Sequence, residues 1–394
     1  MVLGALLLCT LFQIYWYSRY LAAPARRLRK DRKSPKTNDQ SSIAEGVSVI
    51  LAAHNESENL SEYLQALLTQ DYPMYEVIVV DDGSEDSTRE IIERYMVADS
   101  RVRMTFVPKG ARVRSTKKLA LTLAAKAAQY DYLLVTDADC VPESNQWIKR
   151  MMEGFQQQTA NDERPIEIVL GFGPYFEEKG HINRLVRYDT LFNGLHYLGA
   201  ALGRHPYMGV GRNLAYRKSL FFDSGGFTHM MDNRAGDDDL FVNHVATRDN
   251  TAVALNRESY TWSRSKTTMK EWWQQKRRHI SVSPSYKTST KFRLALEPLT
   301  RGLFYALVII IGVLYGAQIT DVWSLTSVSV PTILVGTALL LFIVRWIMQT
   351  AILNVSAQRM GLHRFRMFSV LWFDIVLPLV NLWMLVVPKK QIKW

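Results

Sequence analysis

YEVIVVDDGSEDSTREIIERY, residues 75–95, holds a strand, a turn and the start of a helix in that order. Val77–Val80 is a β-branched apolar run too short for a helix, and it stops on Asp81-Asp82-Gly83-Ser84, where turn-forming residues cluster. A helix begins near Ser87, with Ile91 and Ile92 on one face. The preceding segment repeats the design. Val47–Leu51 is a β-rich run that ends on His54-Asn55-Glu56, and Leu60, Leu64, Leu67 and Leu68 then recur at helical spacing. Strand, helix, strand, helix at these intervals predicts an α/β domain built on parallel strands, with ligands bound beyond the strands' carboxyl ends. A third run, Leu133–Val135, leads into Asp137-Ala138-Asp139. Carboxylates at the end of a buried strand are costly unless something cationic meets them. Either acidic group could merely shape a turn or cap a helix. Polar clusters at three successive strand ends predict a shared crevice.

Apolar residues outside this region fall in blocks at 1–23, 302–318, 331–350 and 367–387 of the 394-residue chain. The first is long enough for one spanning helix. No basic residue precedes it, and Arg26, Arg27, Arg29, Lys30, Arg32 and Lys33 come after it, so it reads as an uncleaved anchor rather than a signal peptide. The positive-inside rule then places the segment after residue 24 in the cytoplasm. The expected organisation is an anchor at 1–23, a basic juxtamembrane linker at 24–43, a cytoplasmic catalytic domain at 44–290 and a membrane region at 291–394. The basic loop QRMGLHRFRM (358–367) fits the cytoplasmic side. A full third span would export PKKQIKW (388–394) against the charge rule, and Asp374, Pro378 and Asn381 make that segment unusual. The formal net charge of +11 is explained by juxtamembrane basic residues near anionic lipid. No nucleic-acid-binding module is visible. Only Cys9 and Cys140 are present, and Cys9 sits in the first apolar block, so no disulfide framework is implied.

The stretches VSVILAAHNESENL, EVIVVDDGSEDST, YLLVTDADC, GVGRNLAYRKSLFFDSGGF, GDDDL and QQKRRH run in order across about residues 47–280. In this they resemble the inverting glycosyltransferases of family 2, whose nucleotide-sugar-binding GT-A fold is a Rossmann-like mixed sheet. With the flanking apolar blocks, the chain resembles the membrane-bound branch related to cellulose, chitin and hyaluronan synthases.

The resemblance implies a site. Asp137 and Asp139 would meet a divalent metal, Mg2+ or Mn2+, on the nucleotide diphosphate, with Asp139 the first choice for direct ligation. Ala53, His54, Glu56, Asp81 and Asp82 would line the base and ribose pocket. Lys117 matches a family lysine near the donor, although the glycines that accompany it are missing, and Lys118 is its ready confusion. Gly211, Arg212 and Asn213 would lie on the acceptor side, and Gly171–Pro174 would belong to the strand beside them. Gln275 and Arg278 match the motif Gln-x-x-Arg-x. Its fifth position is Trp in polymer-making members and His279 here, which argues against long-chain processivity. Trp272 and Trp273 suit either an aromatic surface or the membrane interface. The base that deprotonates the acceptor hydroxyl would come from Asp237, Asp238 and Asp239. Alignment on Gly236 selects Asp238, and alignment on Leu240-Phe241 selects Asp239.

The expected function is metal-dependent, inverting transfer of a sugar from a nucleotide donor, uridine diphosphate-linked, to a lipid-linked or saccharide acceptor at the inner face of the cell membrane. A processive synthase that exports its polysaccharide and an inactive membrane scaffold with a transferase fold are the alternatives.

Overall fold

The computed structural model describes residues 1–33, 45–108, 110–111, 113–157, 165–316 and 330–386. The expected linker beyond residue 33 and the segment PKKQIKW lie outside them. In chain order the helices are α1 (Val2–Trp16), α2 (Ala23–Lys33), α3 (Ser57–Leu68), α4 (Thr88–Ala98), α5 (Thr116–Ala127), α6 (Trp147–Met152), α7 (His181–Leu202), α8 (Lys218–Asp223), α9 (Asp239–Val245), α10 (Met269–Ile280), α11 (Thr288–Gly316), α12 (Val330–Arg359) and α13 (Met367–Val386). The strands are β1 (Val47–Ala53), β2 (Tyr75–Asp81), β3 (Val102–Phe106), β4 (Tyr132–Val135), β5 (Cys140–Pro142), β6 (Ile168–Leu170), β7 (Leu214–Arg217), β8 (Thr251–Val253) and β9 (Thr261–Ser263).

Successive residues of a strand point to opposite faces, and here both faces are covered. Val47, Val49 and Leu51 of β1 and Val77 and Val79 of β2 pack with Leu60, Leu64 and Leu67 of α3 and Ile91 and Ile92 of α4. The alternate residues Ile50, Ile78, Val80, Leu133 and Val135 pack with Ala120, Leu121 and Ala124 of α5 and Leu195 and Leu198 of α7. Double coverage is why β2 reads as an unbroken apolar run.

The seven-stranded sheet has the order β3-β2-β1-β4-β7-β6-β8. The first four strands are parallel, but β7 runs antiparallel to both β4 and β6. This mixture positions the site. Since Val135 pairs with Leu214, the segment just before β7 (Gly211–Asn213) lies at the same edge as the segment just after β4 (Asp137–Asp139). The end of β6 also pairs with Leu214, which brings Gly171–Phe176 to that edge. A two-stranded sheet, β5 with β9, sets Cys140 opposite Ser263 beside it.

The basic residues up to Lys33 form α2 rather than a linker, and α11 starts at Thr288, so it crosses the expected domain boundary without a break. Among the described residues three helices are long and apolar enough to cross a membrane: Thr288–Tyr315, Val330–Arg359 and Met367–Met384. The N-terminal stretch is divided. The α1 helix has 15 residues and passes through a π-helical turn, Tyr17–Leu21, before α2. This turn packs against α7 at Gly199, where a β-carbon would stand 2.0 Å from the Tyr20 carbonyl oxygen; only glycine allows that approach.

Candidate active site

The ends of β1 and β2 are tied together by hydrogen bonds. The Asp82 amide donates to the Ala53 carbonyl (2.8 Å), and His54 donates from Nδ1 to the Asp82 carbonyl (2.7 Å). The buried Asp81 accepts from the Ser84 amide (3.0 Å), holding the turn. Burial, with Asp81 nearby, pushes the Asp82 carboxyl up against a hydrogen bond from Thr116. Glu56 is pushed up by burial and then by the charges of Asp139 and Asp137, despite a hydrogen bond from Asn59. Glu56 therefore shares one electrostatic environment with the end of β4.

Lys117 joins that environment to the acidic triplet. It stands in the first turn of α5 and donates from Nζ to Asp137 Oδ1 (2.8 Å), while Asp237 Oδ2 lies 3.1 Å from the same nitrogen. Burial opposes its charge, but Asp137 and Asp237 outweigh burial and keep the ammonium protonated. The same lysine holds Asp237 below the ordinary carboxylate range against its burial. Among the described residues Asp139 has no such lysine partner. Burial and Asp137 push it up, and Arg212 only partly offsets them.

The three acids of the triplet have different surroundings. Gly236, at φ +93°, makes the turn that delivers them; a β-carbon there would meet Leu240 at 2.6 Å. Asp238 caps α9, accepting from its neighbour Asp239's amide (2.7 Å) and, through Oδ2, from the Gly211 amide (2.8 Å). Burial and Asp237 push Asp238 up, while Lys117 and these two amides draw it down. Asp239 turns into the core. Only 4% of it is exposed, its Oδ1 accepts from the Leu240 amide and its Oδ2 from the Tyr286 hydroxyl (2.9 Å). Asp238 also accepts two amides, but it is only half-buried and lies beside Lys117, whereas Asp239 is closed into the core by Tyr286; burial favours the alignment on Gly236.

Residues 48–222 match the protein family described as Glycosyl transferase family 2. The chain carries a glycosyl transferase family 2 domain. Over 97 residues it is 38% identical to the poly-beta-1,6-N-acetyl-D-glucosamine synthase of Staphylococcus epidermidis, a match spanning 25% of this chain but only 22% of that protein. A longer match, 26% identical over 255 residues, covers 63% of this chain and 57% of the probable glycosyltransferase YdaM of Bacillus subtilis. Among solved structures, the mannosyltransferase PcManGT of Pyrobaculum calidifontis, in complex with GDP-Man and Mn2+, shares the fold. Its TM-score is 0.53 at 16% identity, over 92% of this chain and 99% of that one.

The remaining expected residues, some beyond the matched segment, divide. Arg212 lies in the crevice, with its guanidinium 4.2 Å from the centre of the Tyr175 ring and bonded to Ser263 Oγ (2.9 Å). Gln275 donates to the hydroxyl of the same Tyr175 (2.9 Å). Arg278 is half-buried one turn further along α10, and the charges of Arg278, Arg212 and Asp237 all reach His279. Asn213, expected on the acceptor side, is instead a buried pin. It accepts from Trp147 Nε1 and donates to the carbonyls of Phe172 and Ser259, all inside the core. Trp272 is buried, and Trp273 packs on Trp383 of α13 (4.9 Å), so the pair joins the domain to the apolar C-terminal helices. Lys118, which the sequence offers only as a confusion for Lys117, has a separate structural place. It is fully buried, and its ammonium donates to the carbonyls of Met230 (2.7 Å), Asn233 (2.7 Å) and Ala235 (2.9 Å), the loop that leads into Asp237.

The donor chemistry at the end of β4 suits a divalent metal. Ligand atoms of Asp137, Asp139 and Cys140 lie within 4.8 Å of one another. Hard cations such as Mg2+ and Mn2+ select oxygen over sulfur, which leaves the two carboxylates as ligands. Their charge is met on the Asp137 side by Lys117, while Asp139 keeps an excess.

Proposed function

We propose that this protein is a metal-dependent, inverting glycosyltransferase that moves a sugar from a nucleotide-sugar donor to a saccharide or lipid-linked acceptor at the cytoplasmic face of a membrane. The observation that carries this reading is the Lys117 bridge, because it joins Asp137 at the end of β4 to Asp237 beside Asp238. A carboxylate pair for the donor and a candidate base for the acceptor thus open on one crevice. Asp139 and Asp137 would hold the cation, which when bound supplies positive charge to the nucleoside diphosphate leaving group. Arg212 and Arg278 offer guanidinium groups suited to phosphate oxygens. His54, Asp81 and Asp82 border the nucleoside pocket. Asp238 is oriented by the amides of Gly211 and Asp239, and it takes the proton from the attacking hydroxyl. One base on the face opposite the leaving group is the requirement for inversion.

The test is incubation of membranes containing the protein with a panel of nucleotide sugars, uridine diphosphate sugars first, with and without a chelator. Transfer should occur with one donor class, stop in chelator and return with Mg2+ or Mn2+; undiminished transfer in chelator would remove the metal assignment. The relatives named as polysaccharide synthases favour a processive second reading, which long products on size analysis would support.

A further inference from the structure

A cavity of about 270 Å³ lies between the transferase domain and the loop that joins α12 to α13. Its aromatic wall is built from Tyr175, Phe176, Trp262 and Phe365. The Phe176 and Trp262 rings are stacked, 5.5 Å apart and 18° from parallel, so each holds the other in place in the wall. The charged lining groups are paired with one another. Glu177 meets Arg187 (2.8 Å) and His363 (3.0 Å), while Glu143 meets Arg257 (2.7 Å) and accepts from the Trp262 indole. Arg257 also donates to the Gly361 carbonyl, closing the cavity against the α12–α13 loop.

This lining selects a class of ligand. Acids and bases already neutralise each other, so a phosphate would find no uncommitted positive site among these pairs. Paired carboxylates and guanidinium groups still offer lone pairs and N–H groups to hydroxyls at their edges. A flat aromatic face beside them suits the C–H face of a pyranose ring. The volume falls just below the ~300–1,000 Å³ of drug-sized sites, enough for roughly one or two sugar rings.

Position separates the cavity from the donor side. His54, Asp81 and Asp82 stand at β1 and β2, on one side of β4 in the sheet order, whereas residues 172–177 come after β6 on the other side. Tyr175 stands between the cavity and the crevice: it lines the cavity, its ring carries Arg212 and its hydroxyl bonds Gln275. We propose that the cavity binds the acceptor: it holds the one or two neutral sugar rings that precede the ring bearing the reacting hydroxyl. The proposal rests on the transferase reading above and assigns that reaction's acceptor as a saccharide, free or as the glycan of a larger carrier.

Calorimetric titration of the full-length protein in detergent tests this independently of turnover. The probes are β-1,6-linked N-acetylglucosamine oligosaccharides and cello-oligosaccharides of two to six rings, with UDP plus Mn2+ titrated in parallel. The wild type should bind at least one oligosaccharide series. Trp262→Leu and Phe176→Leu should each weaken that binding at least tenfold and leave UDP binding within twofold. In transfer assays the acceptor KM should rise by a similar factor while kcat at saturating acceptor holds. Should Trp262→Leu lose UDP binding through misfolding, Phe176→Leu, which leaves the indole–Glu143 bond intact, decides. Wild-type protein that binds neither series, or variants that bind saccharide as tightly as wild type, would overturn the assignment. Saccharide binding without UDP binding would instead sink the donor reading and spare the cavity.

Discussion

Lys117 and Lys118 are adjacent and do opposite work. The Lys117 ammonium faces the crevice and joins two carboxylates, while Lys118 spends all three of its N–H donors on carbonyls of one loop. Lys118→Met would strand the Asn233 and Ala235 carbonyls, while that of Met230 keeps the Asn233 amide, and each buried unsatisfied group costs about 1–3 kcal/mol. The variant should melt several degrees lower and transfer slowly, with nucleotide affinity near wild type in the folded fraction. A variant with unchanged melting and turnover would show that the loop holds itself. Asp238 and Asp239 separate by the same kind of comparison. Asp238→Asn keeps the shape but removes the proposed base, and general-base catalysis typically contributes ~10²–10⁴-fold. The variant should bind nucleotide normally and lose turnover by that order. Asp239→Asn should chiefly lower the melting temperature, because its carboxylate is committed to Tyr286 and the Leu240 amide. Loss of turnover confined to Asp239→Asn would move the base by one position. The acidic clusters were legible in the sequence because each ends an apolar strand. The role of Lys118 was not, since its partners are backbone carbonyls more than 110 positions away with no side-chain signature. Asn213 misled for a related reason: a motif position tells which residue is needed, not whether it serves substrate or core.

At the scale of elements, α10 shows what helical patterning does and does not reveal. Thr268 and Glu271 form a capping box at its start, and basic residues crowd its last turn, both readable as helix signals. Its anchoring is not readable. Lys276 points inward to Asp189 of α7, with oxygens at 2.6 and 2.7 Å and both side chains largely buried. Because α10 also presents Gln275 to Tyr175, this ion pair sets where the crevice wall stands. Removing one partner of a buried pair costs about 3–5 kcal/mol, whereas replacing both with apolar groups can be neutral. Asp189→Leu should therefore lower the melting temperature markedly, and the double variant Asp189→Leu with Lys276→Met should recover much of the loss. Additive losses would mean the pair is not coupled. The partner helix α7 escaped sequence reading because Leu185, Val186, Tyr188, Leu191, Leu195, Tyr197 and Leu198 are buried on several faces, which erases the amphipathic stripe. The strands β5, β6, β8 and β9 have three residues each, too few for any period to register.

For the whole molecule, the question is how the transferase domain is held on the long apolar helices. The apolar blocks located those helices, but not the polar network that joins them. Asp374 of α13 accepts from Arg301 and Tyr305 of α11 and from Arg345 and Gln349 of α12. Arg301 also reaches Glu297, whose other oxygen accepts from Tyr17 in the π-helical turn, and Arg345 reaches Tyr17 and Gln13. The two arginines and two acids balance in charge, and all four are buried. Ionisable groups among membrane helices are expensive and persist only when paired. Here the pairing makes α1, α11, α12 and α13 interdependent, and the π-helical turn that takes part also packs against α7 of the domain. Asp374→Leu would leave Arg301 and Arg345 sharing one acid, a net buried charge costing about 3–5 kcal/mol. Its melting midpoint in detergent should fall, and transfer should fall with it even though the crevice residues are untouched. Adding Arg345→Leu restores neutrality, because Arg301 keeps Glu297, so the double variant should melt above the single one by a coupling of roughly 0.5–3 kcal/mol. Nucleotide binding should track the midpoint in both variants. A double variant no more stable than Asp374→Leu alone would mean that packing rather than charge balance holds the four helices together.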